Sequence, residues 1–139
     1  MRPHNSINPL DRIIAAASYL TAGMAGFVWW IVSILIKKNV KQFLIYHIMQ
    51  SIFLSIAYFI FIELYKLVFV IFAKIPLINA FMFFFDNILN GPLPLMFGLS
   101  LLQVFTTTIM IYLAITSFAG IYTYIPWVSD IININTGRK

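Results

Sequence analysis

The sequence predicts an all-α fold: a polytopic integral membrane protein built as a four-helix transmembrane bundle, with three spans plus one interfacial helix as the alternative. Three observations predict it. Of 139 residues, 62% are apolar and only 9% charged, against about 45–50% and about 25% in ordinary soluble domains. The apolar residues fall in runs long enough to cross lipid. The basic residues stand mostly at the edges of those runs, where Lys and Arg anchor a membrane helix and bias its orientation. Nine basic and four acidic side chains are too few to clothe a water-facing fold of this size. The whole chain, 1–139, reads as a single membrane domain.

A bilayer core about 30 Å thick takes about 20 helical residues. Residues 13–36 meet that length and exceed a signal-peptide core. Lys37 and Lys38 follow them, not a cleavage site, so this is a retained span. Within it Gly23-Met24-Ala25-Gly26 has small-x-x-small spacing, which lets helix backbones approach closely. Trp29 and Trp30 approach the far end, where an aromatic belt is expected. A tight return through residues 37–41 leads to a second span, about 43–62, closed by Glu63 and Lys66. Those two have helical i, i+3 spacing and read as a solvated helix end, where an ion pair contributes little.

Residues 67–89 admit two readings. One is a third span kinked at Pro76, with Lys74 as a candidate buried charge; neighbours in a bundle satisfy the carbonyl that a proline frees. The other extends the second helix to about Ala73 and lays residues 77–89 in the interface. The kinked span is the preferred expectation. Asn90-Gly91-Pro92-Leu93-Pro94 is a turn, residues 95–118 form the final span, and a short polar tail containing Asp130 follows. Four spans place both termini on one side, where five basic residues (Arg2, Arg12, Lys66, Arg138, Lys139) stand against Lys37, Lys38 and Lys41 on the other. The excess favours cytoplasmic termini.

Polar groups inside the apolar runs are the candidate site. His47, Gln50, Ser51, Ser55 and Tyr58 fall within a sector about 140° wide on a helical wheel. Ser100, Gln103 and Thr107, with Ala114, fall within about 60°. Hydrocarbon supplies no hydrogen bonds, so both stripes should face each other or a wet cleft. They serve either as interhelical glue or as an intramembrane polar path for a polar substrate or peptide. A proton relay at His47 is a further option, since an unperturbed imidazole titrates near neutrality.

Several chemistries are excluded. The chain has no cysteine, which removes disulfides, thiolate metal sites and thiol catalysis. His4 and His47 are the only histidines, and no carboxylate cluster accompanies them, so no metal or cofactor is expected. A nucleic-acid surface needs a dense basic patch with exposed aromatics, which is absent. Gly98-Leu99-Ser100 with His47 has the residue types of an intramembrane Ser–His dyad, yet no oxyanion-hole motif accompanies it. Small multidrug-type transporters have a Glu in the first span, and residues 13–36 contain no acid. No catalytic residue is expected. A small solute or proton-coupled transporter, motivated by His47 and Lys74, is the alternative function.

Three stretches carry a resemblance. They are Asp11-Arg12-Ile13-Ile14-Ala15-Ala16-Ala17-Ser18-Tyr19-Leu20, then Phe43-Leu44-Ile45-Tyr46-His47-Ile48-Met49-Gln50-Ser51, and finally Gly120 with Ile125-Pro126-Trp127-Val128-Ser129-Asp130. In this order and spacing the chain resembles the twenty-kilodalton subunit family of the chloroplast inner-envelope protein import translocon, with its bacterial and plastid-encoded relatives. The resemblance covers roughly residues 11–132. It implies four helical spans with termini on the stromal or cytoplasmic side of a plastid inner envelope or bacterial plasma membrane. It implies no catalytic residue and no cofactor. The partners it implies are the lipid bilayer, other membrane subunits or further copies of the chain, and translocating polypeptides.

Overall fold

The computed structural model describes residues 7–136; Arg2, His4, Arg138 and Lys139 lie outside them. Among the described residues the chain is all-α, without strands. The helices are α1 (Pro9–Leu20), α2 (Met24–Leu35), α3 (Gln42–Phe72), α4 (Ile78–Asn90), α5 (Leu101–Phe118) and α6 (Val128–Thr136), with a single 3-10 turn at Pro94–Met96. Two of them, α3 with 31 residues and α5 with 18, are long and apolar enough to cross a membrane.

The helix boundaries follow from local chemistry. Asn8 caps α1, its side chain accepting from the Leu10 amide at 3.3 Å, and Pro9 occupies the first turn, where no amide partner is needed. Three helices end in the same way. After α1 the Gly23 amide bonds Ser18 O and the Ala22 amide bonds Tyr19 O. After α2 Lys38 bonds Ser33 O and Lys37 bonds Ile34 O; after α5 Ile121 bonds Thr116 O and Gly120 bonds Ser117 O. Each is a Schellman cap, which requires a left-handed residue. That residue is Ala22 (φ 53°), Lys37 (φ 51°) or Gly120 (φ 81°). Ala22→Gly is therefore expected to raise stability by about 0.5–1 kcal/mol, the left-handed strain removed less the unfolded-state entropy a glycine adds. Chemical denaturation of the two proteins in one detergent checks it.

The cap at residues 21–23 divides residues 13–36, expected as one span, between two helices rather than one continuous helix. In an unbroken helix Ser18 and Gly26 would stand about 12 Å apart along the axis. Here a Cβ added to Gly26 would collide with the Ser18 hydroxyl, so α2 folds back beside α1. Thr21 finishes the turn: its hydroxyl donates to Ala17 O at 2.7 Å and accepts from the Ala25 amide at 3.0 Å.

Three further expectations are corrected. The second helix does not end near residue 62 but runs on to Phe72, so Glu63 and Lys66, paired at 2.8 Å, are mid-helix residues. The span kinked at Pro76 is a break between two helices, because Pro76 has no amide to donate and Leu77 takes a positive φ of 72°. The final helix starts at Leu101 rather than 95, since Pro94–Met96 form a 3-10 turn followed by two left-handed residues, Phe97 (φ 54°) and Gly98 (φ 79°).

The chain divides into two compact units. The first joins the chain up to Ile56 to the chain from Met110 onward; the second is Ala57–Ile109. The first holds the apolar core, in which Ala15, Phe43, Leu44 and Ile48 are buried against partly buried Trp29, Trp30, Ile52 and Tyr122. The expected polar tail belongs to this unit: α6 buries Ser129 and Ile132 completely or nearly so. In the second unit Asp86 accepts hydrogen bonds from Tyr65 (2.8 Å) and Asn90 (2.7 Å), and Phe69 meets Phe83 edge to face.

Candidate functional site

The first unit contains a buried polar network at the level of the second helix turn of α3. Apolar spacing turns Phe43, Leu44 and Ile48 into the core, and the same face brings Tyr46, His47, Gln50 and Ser51 inside. His47 and Gln50 are 0% exposed and Ser51 is 2% exposed. The Tyr19 hydroxyl of α1 lies 2.9 Å from His47 Nδ1 and 2.6 Å from Gln50 Oε1. Gln50 Nε2 donates to Thr123 O at 3.0 Å and to Ser129 Oγ at 3.3 Å. The Tyr46 hydroxyl lies 3.0 Å from the same carbonyl and 2.8 Å from the same Ser129 oxygen.

Donor and acceptor bookkeeping fixes the direction of these bonds. Thr123 O only accepts, so the amide nitrogen of Gln50 faces it and the amide oxygen faces Tyr19. Tyr19 has one proton, which goes to that oxygen. His47 Nδ1 must then carry a proton and donate it to Tyr19. The result is a directed chain, His47 Nδ1–H to Tyr19 O–H to Gln50 to Thr123 O, joining three segments far apart in sequence. Around the imidazole stand Phe43 (4.5 Å between centroids), Tyr46 (5.4 Å), Tyr19 (5.7 Å) and Tyr122 (5.8 Å, stacked).

A second layer joins the helices where α1 turns into α2. Ser18 and Ser51 hydroxyls are 2.6 Å apart, and Ser51 also reaches Ile48 O at 2.8 Å. Ser55 donates to Ala22 O at 2.9 Å, closing the carbonyl of the left-handed residue. Gly23 and Gly26, expected as packing residues, lie against α3: added Cβ atoms would come within 2.9 Å of Ile52 Cγ1 and 2.8 Å of Ile48 Cγ1 respectively. At the outer rim Asp11 is 3.8 Å from Lys41 Nζ, and the Arg12 guanidinium covers Gly120. Nearby Tyr124 donates to Asp130 at 2.8 Å, a bond that raises its hydroxyl above the usual tyrosine range.

The remaining candidates belong to the second unit and behave differently. Ser100 and Gln103 form a capping box: the Ser100 amide donates to Gln103 Oε1 (3.0 Å) and the Gln103 amide to Ser100 Oγ (3.2 Å). Their polar groups serve the start of α5. Thr107 is exposed, and so is Lys74, which sits on the break after α3 and not in a core. Lys74 as a buried charge is therefore corrected: the helix that would have enclosed it ends two residues earlier. Sequence reasoning missed Tyr19, Tyr46, Ser18 and Ser129, the residues that complete the network. The Ser-x-x-Gln spacing at 100–103 was a legible capping signal.

No family model, curated protein or solved structure matches this chain.

Proposed function

We propose that the protein is a non-enzymatic, multi-pass membrane subunit of a protein-translocating assembly, of the kind its three motif stretches resemble. It acts as an assembly component and not as a conduit by itself. One observation carries this reading. Tyr19 from the first stretch, His47 and Gln50 from the second and Ser129 from the third meet in one closed, buried network. Polar groups bonded to one another inside a membrane domain hold helices together and leave no lining for a water-filled path. The polypeptide path then lies between this chain and its neighbours, whether further copies or other subunits. A plastid inner envelope or a bacterial plasma membrane is the compartment this implies.

The four-span arrangement needs residues 13–36 to cross once and residues 67–89 to cross once. The breaks at 21–23 and 73–77 favour a second arrangement in which only α3 and α5 cross. Both counts are even, so both put the termini on one side. The transporter alternative rested on His47 and a buried Lys74, and with Lys74 exposed it retains only the histidine.

Mild solubilisation followed by mass spectrometry of the intact complex tests the functional reading. Translocase subunits, precursor chains or a defined homo-oligomer should travel with the protein; a bare monomer would overturn it. Because the chain has no native cysteine, single-cysteine variants add a second readout. Cysteines at 47 and 50 should stay silent toward aqueous thiol reagents while one at exposed Asn39 reacts. Labelling at both buried positions would restore the conduit.

A further inference from the structure

We propose that α1 and α2 form a re-entrant hairpin that enters and leaves the bilayer on one side, and that Lys37 and Lys38 beside it seat that face on anionic lipid headgroups. The proposal rests on the membrane reading above. Its geometric basis is a set of contacts that a single crossing forbids. Asp11 opens the first apolar segment and Lys41 follows it. If that segment crossed once, the two would stand on opposite faces, about 30 Å apart. Instead their charged groups are 3.8 Å apart. Arg12 lies over Gly120, the residue that caps the end of α5, with 3.1 Å from an added Cβ to its guanidinium carbon. The start of α1, the start of α3 and the end of α5 therefore share one level.

Helix length agrees. Each arm of the hairpin has 12 residues, about 18 Å, and reaches little past the middle of a core about 30 Å thick. A turn at that depth has to satisfy its own backbone. The amides of residues 21 to 25 all find acceptors, the last of them the Thr21 hydroxyl, and Ser55 covers Ala22 O. The turn is flanked by Leu20 and Met24, each 64% exposed, which suits hydrocarbon and not water.

Charge follows the same division. With α1 and α2 as a hairpin, Arg12, Lys37, Lys38 and Lys41 share one face, where a crossing of the first segment would have separated Arg12 from the three lysines. Lys37 and Lys38 are exposed, and the Lys38 ammonium sits 5.4 Å over the Trp29 ring, an aromatic–cation pair of the kind found at headgroup depth. Juxtamembrane basic clusters bind anionic leaflets by this electrostatic attraction.

Two measurements test the proposal. Asn8→Cys, Asn39→Cys and Pro92→Cys are each probed with a membrane-impermeant maleimide in intact and in permeabilised cells. Residues 8 and 39, which bracket the hairpin, should report the same side and residue 92 the opposite one. Residue 8 reporting the side opposite to 39 would mean that the first segment crosses, and would overturn the hairpin while leaving the membrane reading intact. All three on one side, with the protein released by alkaline carbonate, would overturn both. For the lipid, a variant carrying Trp30→Phe and Trp127→Phe leaves Trp29 as the only tryptophan. Its fluorescence should be quenched more by brominated phosphatidylglycerol than by brominated phosphatidylcholine. That difference should vanish in Lys37→Gln/Lys38→Gln and at high salt. Equal quenching by the two lipids in the parent would overturn the headgroup assignment.

Discussion

Tyr19→Phe is expected to destabilise the protein by about 2–4 kcal/mol, although it removes a single oxygen atom and keeps the ring. The hydroxyl is the centre of the directed chain: it accepts from His47 Nδ1 and donates to Gln50 Oε1. Without it two buried groups lose their partner at once, each at about 1–3 kcal/mol. Tyr46→Phe, the same change one helix away, should cost no more than about 1 kcal/mol, near the net value of an ordinary hydrogen bond. Its partners keep other donors: Thr123 O retains Gln50 Nε2, and Ser129 Oγ retains Gln50 and the Ile125 amide at 2.7 Å. Denaturant titration of both variants in the same detergent measures the contrast. Equal effects would mean that the bonds are not directed as derived. Nitrogen NMR of His47 offers a second check, since Nδ1 should read as protonated in the parent.

The helical character, the inward-turned polar groups of α3 and the close approach at the glycines were legible because each follows from periodicity in one segment. His47, Gln50 and Ser51 share a helical face, and lipid forbids leaving them bare. What was not legible depends on partners brought from elsewhere in the chain. Tyrosine in an apolar run reads equally well as an interfacial anchor, so Tyr19 and Tyr46 gave no sign of being network hubs. The tail after residue 118 looked polar, yet its serine at 129 answers Tyr46 and Gln50 and its Ile132 is 1% exposed. Length was the misleading signal in the first segment. Residues 13–36 are long enough to cross, and glycine is common in membrane helices, so nothing within the run distinguishes a straight span from a helix capped at Ala22. The discriminating contacts, Asp11 with Lys41 and Ser18 with Gly26, are tertiary.

Gly26→Ala is the variant that decides whether the hairpin is packed as described, because two effects of opposite sign compete. Gly26 lies in the first turn of α2, away from the left-handed backbone values of Gly23, Gly98 and Gly120. In a helix with open space beside it, alanine would stabilise by up to about 1 kcal/mol. Here the added carbon meets Ile48 Cγ1 at 2.8 Å and Ser18 Cβ at 2.9 Å, and collides with the Ser18 hydroxyl. These atoms belong to two other helices, so no single shift relieves both. Overpacking of this kind costs about 1–3 kcal/mol. Moving Ser18 also strains its 2.6 Å bond to Ser51. The expected net effect of Gly26→Ala is a loss of about 2 kcal/mol, and Gly26→Leu should fail to fold into this arrangement. Ser18→Gly/Gly26→Ala removes the Ser18 side of the clash and leaves Ile48. It should recover part of the loss, with a coupling energy of about 1 kcal/mol or more in a double-mutant cycle. A stabilising Gly26→Ala, or strictly additive single and double variants, would mean that α1 and α2 do not touch at this position and that the segment is extended.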